Sequence, residues 1–375
     1  MTKVMTVVGT RPEIIRLSRV ISRLDDTVQH VLVHTGQNYD YELNEVFFED
    51  LGLRRPDRFL SVDTSSLGHV LGDTLIKTEQ ALLDERPDAL LVLGDTNSCI
   101  AAVMAKRMRI PVYHMEAGNR CFDENVPEET NRRLVDHVAD FNLVYTEHAR
   151  RNLLAEGIHP RRILLTGSPM KEVLQHHGDE FGASVVLSEL SLSAQEYVLV
   201  SAHREENVDD PDRLGRLLDC LEAVRDRWGL PILVSTHPRT RKRLEALGRD
   251  VEGVRWHKPM GFIDYVRLQQ DAFCVLSDSG TISEESAILG FPAVTLRDSI
   301  ERPEALDTGS ILMTGLDPQN VLEALGVVVQ DQSAGQVVPQ DYQVDNCSER
   351  TVRFILSTYR RHRSWSGLHE PAAGS

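Results

Sequence analysis

The apolar positions of the first 170 residues fall into short, nearly continuous runs separated by longer stretches with a helical rhythm. VMTVVG (4–9), HVLVHTG (30–36), ALLVLGD (89–95), IPVYHM (110–115) and FNLVYT (141–146) are rich in β-branched residues, the pattern of parallel strands covered on both faces. Between them IIRLSRVISRL (14–24) and LGHVLGDTLIKTEQALLDE (67–85) space their apolar residues as amphipathic helices do. Strand–helix alternation of this kind predicts a doubly wound α/β sheet.

The rhythm restarts after residue 195, with YVLVSAH (197–203), PILVSTH (231–237), AFCVLSD (272–278) and PAVTLRD (292–298). HHGDEFGASVVLSELSLSAQ (176–195) is less periodic and is expected to carry the crossing. The reading is two domains, 1–168 and 169–347, with ligand-binding loops at the carboxyl ends of the strands lining a cleft between them. ERTVRFILSTYRRH (349–362) predicts a late helix, about 348–365, that packs back on the first domain. The tail SGLHEPAAGS is expected to lack fixed structure.

Composition narrows the picture. The 375 residues are 41% hydrophobic and 26% charged, ordinary for a globular chain, and exceed what one core usually holds. A net charge of −16 argues against nucleic acid or an anionic membrane surface as partner. It leaves an anionic small ligand open, because local arginines outweigh a global charge. Five scattered cysteines, Cys99, Cys121, Cys220, Cys274 and Cys347, show no CxxC or zinc spacing, so reduced thiols and a cytoplasmic location are expected. MTKVMTVVGTRPE does not read as a signal peptide, and no apolar run reaches membrane-spanning length.

Four motifs sit where a strand gives way to a helix. In GTRPE (9–13), Gly9 suits a tight turn and Pro12 a first helical turn, and Arg11 with the free amides would make an anion site; the plainer reading is a helix cap. Arg16, five residues on, does not share a face with Arg11, so one of the two is expected at the surface. In LGDTNS (93–98), Asp95 and Thr96 either cap a helix or aim a carboxylate at a ligand. HREEN (203–207) places His203 and Arg204 at a strand end, either for an anion or as structure. In SDSGTISEESAILG (277–290), the Ser279-Gly280-Thr281 turn fits a phosphate, and Glu284 or Glu285 fits ribose hydroxyls. Arg302, in RDSIERPEA (297–305), adds a cation.

The densest stretch is EAGNRCFDENVPEETNRR (116–133). Asn125 or its turn would cap a helix with Val126, Leu134, Val135 and Val138 on its apolar face, and Glu128–Arg132 and Glu129–Arg133 would be surface ion pairs worth about 0.3–0.5 kcal/mol each. Glu116, however, ends a β run as Asp95 does. Asp95, Glu116 and Glu128 would then converge on one pocket, where burial and repulsion raise carboxyl pKa values. Asp123 and Glu124 read as loop charges. No HxxxH or DxD spacing accompanies the acids, so no metal is expected.

GTRPE, GDTNS, HMEAGNR, PEETNRR, AHREEN, SDSGTISEE and RDSIERPEA, in this order, resemble the non-hydrolysing UDP-N-acetylglucosamine 2-epimerase family. The motifs run from residue 9 to 305. The resemblance implies a GT-B fold of two Rossmann-like domains, a UDP-2-acetamido sugar as substrate, no metal or dissociable cofactor, and a homodimer. It implies that a base removes the sugar C2 proton as UDP leaves C1, giving a 2-acetamidoglycal to which UDP adds back. It assigns the essential acids to Asp95, Glu116 and Glu128, and diphosphate-side groups to Arg11 and His203, the latter also near the chemistry. The UDP turn and ribose carboxylate match Ser279, Gly280, Thr281 and Glu285, and the nucleotide-side arginine matches Arg302. Arg16 stands where the family usually has lysine.

Some positions depart from the common members, which read GHRREN for AHREEN, TGQH for TGQNYDYELNE (35–45) and SGG for SGT. There those members form a second, activating UDP-GlcNAc site, so the resemblance does not carry that site over. The variants look more like the subgroup that forms UDP-N-acetyl-L-fucosamine from UDP-2-acetamido-2,6-dideoxy-L-talose, for capsule or O-antigen. The alternatives are a UDP-GlcNAc/UDP-ManNAc 2-epimerase, a GT-B glycosyltransferase, a hydrolysing epimerase, and a UDP-sugar sensor without turnover.

Overall fold

The computed structural model describes residues 1–36, 47–236, 238–330 and 337–368. They cluster into two compact units, the first comprising Met1–Arg120, Pro127–Val173 and the chain from Val344, the second Cys121–Val126 and Leu174–Gln343. The remainder of TGQNYDYELNE beyond Gly36, and residues 369–375 of the tail, lie outside the described residues.

The first unit holds a seven-stranded sheet. Its strands are β1 (Lys3–Val8), β2 (Gln29–His34), β3 (Arg58–Phe59), β4 (Ala89–Leu93), β5 (Val112–Met115), β6 (Phe141–Val144) and β7 (Ile163–Leu165). The order is β3-β2-β1-β4-β5-β6-β7, with every pairing parallel. One face buries Met5, Val7, Leu90, Val92 and Val112 against Ala101, Ala102, Ala105 and Val135.

The second unit holds a six-stranded parallel sheet. It is built from β8 (Val198–Ser201), β9 (Ile232–Ser235), β10 (Val254–His257), β11 (Cys274–Ser277), β12 (Ala293–Thr295) and β13 (Leu312–Met313). The order is β10-β9-β8-β11-β12-β13. Val198, Val200, Ile232 and Leu276 pack on Leu214, Leu217, Leu218 and Leu221 of the helix Pro211–Trp228.

These orders place the motifs. Strand order reverses direction between β1 and β4 in the first sheet and between β8 and β11 in the second. In open α/β sheets such switch points are where ligands bind, at the carboxyl ends of the strands. GTRPE and GDTNS follow β1 and β4; HREEN and SDSGT follow β8 and β11.

The strands stop earlier than the apolar runs predict, because the last polar residues of each run leave the ladder for turns. Gly36 (φ 82°) and Gly94 (φ 69°) adopt the left-handed conformation that ends β2 and β4. The apolar runs did not mark the four sheet-edge strands β3, β7, β10 and β13, which are two to four residues long. The late helix spans Cys347–Thr358 and lies in the first unit, where Thr358 Oγ1 and the Tyr113 hydroxyl are 2.7 Å apart and the Ser348 N–H donates to Glu172 at 2.9 Å. All five cysteines are buried free thiols. Among the described residues, no helix is long and apolar enough to cross a membrane.

Candidate active site

In the first unit, β1 passes through Gly9 and Thr10 into the helix Arg11–Thr27, with Pro12 in its first turn. Arg11 is half-buried, its guanidinium 5.3 Å from the centre of the Phe47 ring. Arg16 is not the surface residue its spacing from Arg11 allowed. It is buried, and its Nη1 donates to Glu116 Oε2. Gly9 is not left-handed; the glycines that are, near these acids, are Gly94 and Gly118.

Asp95 follows Gly94 at the end of β4. It does not cap the short 3-10 turn Asn97–Ile100; its Oδ2 accepts from Arg132 Nε at 2.7 Å. Glu116 follows β5 with φ 63°, a left-handed conformation that strains a residue with a side chain. A Cβ on Gly94 would lie 3.7 Å from Glu116 Oε2, so the two strand ends are in contact and Gly94 leaves room for the carboxylate. Glu116 Oε1 also lies 3.5 Å from Asn119 Nδ2.

Glu128 opens the helix Glu128–Val138, half-buried. That helix has no side-chain cap: Pro127 is its N-cap, and Asn125 spends its N–H and its side chain on Asp123 Oδ1. Leu134, expected on the apolar face, is exposed. Glu129, Arg132 and Asp136 are buried in its place. Arg132 pairs with Asp95 and with Glu129 (2.9 Å), Glu129 also pairs with Arg133 (3.1 Å), and Asn131 Nδ2 donates to the Asp95 carbonyl (2.9 Å). The helix that begins at Glu128 is therefore docked on the Asp95 turn. Asp136 anchors its far end: it accepts from Gly118 N–H and Arg120 Nη1 (2.7 Å), and lies 2.9 Å from His114 Nδ1, whose Nε2 donates to the Gly94 carbonyl at 2.8 Å. Asp123, read as a loop charge, clusters with the second unit and accepts from the Ser299 hydroxyl at 3.2 Å.

In the second unit, Asp278 is fully buried one residue beyond β11. Its carboxylate accepts from the backbone N–H groups of His203 (3.0 Å) and Arg204 (3.0 Å) and from Asn207 Nδ2 (3.1 Å). Its own carbonyl takes Arg204 Nε at 3.0 Å. One carboxylate thus staples the HREEN turn to the SDSGT turn. His203, nearly half exposed, keeps its Nδ1 3.4 Å from Asp278 Oδ1. The Ser279 and Thr281 hydroxyls are 2.9 Å apart at the start of the helix Ile282–Leu289. A Cβ on Gly280 would stand 3.4 Å from Arg204 Nη2, so glycine permits the close approach there.

Glu284 and Glu285, adjacent on that helix, divide. Glu284 is fully buried and pairs with Arg302, which also donates to the Gly280 carbonyl at 3.2 Å. Glu285 accepts from Gln269 Nε2 at 2.6 Å. Arg297 binds Glu301 through two hydrogen bonds, 2.6 and 2.8 Å, and Arg204 Nη2 stands 3.6 Å from the same carboxylate.

Sequence reasoning did not single out Glu13, Ser98, Asp136 or Asp278, and it read Arg132 as the surface partner of Glu128, whereas Arg132 is buried against Asp95 and Glu129. Burial pushes the Glu13 carboxyl up to about 6, outweighing hydrogen bonds from Ser98, Thr10, Gly9 and Thr96. Thr10-x-x-Glu13 has the spacing of a capping box, and Asp278 obeys the strand-end rule that picked out Asp95 and Glu116; both signals were present in the sequence.

The model of the UDP-N-acetylglucosamine 2-epimerase family matches residues 22–356. The structure of a UDP-N-acetylglucosamine 2-epimerase from Rickettsia bellii superposes with TM-score 0.92 at 44% identity, covering 98% of this chain and all of that one. That of the Methanocaldococcus jannaschii UDP-GlcNAc 2-epimerase, in complex with UDP-GlcNAc and UDP, superposes at 0.89 with 32% identity over 95% of this chain and all of its own. A UDP-2,3-diacetamido-2,3-dideoxy-D-glucuronate 2-epimerase from Pseudomonas aeruginosa is 35% identical over 88% of this chain and 94% of its own. With its two doubly wound parallel sheets of the GT-B class, the chain belongs to the UDP-N-acetylglucosamine 2-epimerase family and is an isomerase of the UDP-N-acetyl-sugar 2-epimerase kind.

Proposed function

We propose that this enzyme inverts C2 of a UDP-2-acetamido sugar by eliminating UDP to a 2-acetamidoglycal and adding it back. The reading rests chiefly on one observation: Asp95 and Glu116 stand on adjoining strand ends, the first at a topological switch point, each bonded to a buried arginine, and the helix begun by Glu128 is docked against Asp95. Carboxylates so fixed suit proton removal and return at a sugar carbon, a contribution of typically about 10²–10⁴-fold per general acid or base.

The C2 proton is weakly acidic, so departure of UDP carries much of the barrier, and preorganised donors stabilise the charge that develops on it. Arg11, Arg16 and His203 supply cations or donors for that. Ser279, Gly280 and Thr281 offer a turn at a helix N-terminus for phosphate, and Glu285 a carboxylate for ribose. Arg302, engaged with Glu284 and the Gly280 carbonyl, keeps that turn in shape beside whatever contact it makes to nucleotide.

For the sugar, we favour UDP-2-acetamido-2,6-dideoxy-L-talose, giving UDP-N-acetyl-L-fucosamine for surface polysaccharide, on the variants AHREEN, SGT and TGQNYDYELNE. The names of the Rickettsia and Methanocaldococcus relatives favour UDP-GlcNAc as the second reading. Incubation with each sugar in D2O, followed by NMR at C2, tests both levels. Deuterium at C2 of the epimerised product is expected, with faster turnover of the L-talo substrate. Product that keeps its C2 hydrogen sinks the mechanism, and preference for UDP-GlcNAc selects the second sugar.

A further inference from the structure

Glu13 is buried in the first turn of the helix Arg11–Thr27, and no step proposed above uses it. Its two oxygens serve different turns. Oε2 accepts from the Gly9 N–H (2.9 Å) and the Thr10 hydroxyl (2.8 Å), closing the turn that leads into its own helix one residue before the N–H a capping-box glutamate would take. Oε1 accepts from the hydroxyl of Ser98, separated by 85 residues and itself buried in the turn after β4. Ser98 is in turn 2.8 Å from the Thr96 hydroxyl, next to Asp95. A helix cap needs the first pair of bonds but not the second.

The second bond joins the elements that carry the chemistry. Beyond Glu13 the helix bears Arg16, bonded to Glu116; beyond Gly94 the β4 turn bears Asp95, bonded to Arg132. We infer that Glu13, acting through Ser98, is a positioning residue that locks the GTRPE turn to the GDTNS turn and so fixes the Arg16–Glu116 and Arg132–Asp95 pairs relative to each other. A displacement of about 1 Å in such a constellation lowers a rate by about 10²-fold without loss of binding. The desolvation that pushes the Glu13 carboxyl up fits a group spent on an internal joint and shielded from water.

This inference rests on the epimerase reading, and Ser98→Ala isolates it. The change removes the principal bond of the bridge to the second turn, leaving the lesser contribution of Thr96, and keeps the Gly9 and Thr10 bonds of Glu13 in place. Expected are a fall in kcat of tenfold or more, KM and the calorimetric Kd for UDP within about threefold of wild type, and a parallel fall in C2 deuterium exchange. Glu13→Gln, which turns an NH2 toward donors on one side or the other, falls at least as far. A Ser98→Ala enzyme with kcat within twofold of wild type overturns the inference, as does a loss confined to UDP affinity or to melting temperature. Absence of C2 exchange in the wild-type enzyme is a different result: it removes the epimerase reading itself.

Discussion

The two units use a carboxylate at the same place, just past the end of a central strand, in opposite ways. In the first unit Asp95 and Glu116 are met by arginine side chains, and Glu116 takes a left-handed backbone to bring its carboxylate against Gly94. In the second, Asp278 turns inward, fully buried, and gathers two backbone N–H groups and an asparagine. What separates the two carboxylate environments is the donor set. A guanidinium side chain can in principle turn from a carboxylate to a ligand; backbone amides of a turn cannot leave without unfolding it. Identical strand-end placement therefore serves two structural ends: pairing with arginine side chains in one sheet and bracing of a turn in the other.

The sharpest way to break this comparison is to neutralise the acids proposed for proton transfer. Glu116→Gln and Glu128→Gln are each expected to lower turnover by about 10²–10⁴-fold, with UDP affinity held within about tenfold, or about 1.4 kcal/mol. Single-turnover kinetics and UDP calorimetry read the two effects separately. If UDP binding collapses while residual bound substrate still reacts at the wild-type rate, the first-unit acids hold substrate and the contrast with Asp278 disappears.

Asp278→Asn is the reciprocal test. An asparagine there sets an NH2 among the His203 and Arg204 amides and Asn207, leaving a buried donor without an acceptor at a cost of about 1–3 kcal/mol. UDP affinity should weaken by about fivefold to 10²-fold as the HREEN and SDSGT turns separate, with a smaller change in the rate of the chemical step at saturation. Unchanged UDP affinity with a large loss of kcat would move Asp278 into the same class as Glu116.

How far the sequence foretold these roles depended on whether the signal was local. The strands and the four switch-point motifs were legible because buried parallel strands need continuous apolar runs and their turns need Gly, Pro and capping residues. Strand-end position alone nominated Asp95 and Glu116. Which carboxylates face a guanidinium was not legible. Arg132 looked like half of a surface pair by its i,i+4 spacing from Glu128, yet it is buried against Asp95, 37 residues away. Leu134 fitted the apolar rhythm and is exposed, whereas Val126, just ahead of the helix, and Val135 within it are buried as expected, alongside the buried polar residues Glu129, Arg132 and Asp136. Periodicity finds the apolar part of a buried face, and at this helix polar partners fill the rest. Glu13 was hidden for a related reason: its partner Ser98 comes from another strand end, a contact that strand order creates and spacing along the chain does not reveal.

Glu13 also offers the smallest and most local test, because it differs from both classes of strand-end acid in having no arginine or lysine among the groups bonded to it in the structure's hydrogen bonds from Gly9, Thr10 and Ser98. Its carboxyl is raised from 4.5 to about 6 in the folded chain. The folded state therefore binds this proton more tightly than the unfolded state. The stabilisation is complete below about pH 4.5 and is lost as the pH rises through 6, an amount of about 2 kcal/mol for a shift of this size. The paired acids behave in the reverse sense: Asp140 and Glu156, held below the usual carboxylate range against the effect of their burial by His362 and Lys106 and by Arg120, stabilise the fold at higher pH and lose that effect in acid. Subtracting the melting temperatures of Glu13→Gln from those of wild type, pH by pH, cancels that background. The difference should fall between pH 4.5 and 6 and stay level above it. A flat difference across this window would mean that the joint between the two turns holds an ordinary ionised carboxylate, and the bond to Ser98 would then have to carry the positioning without the desolvation that accompanies it.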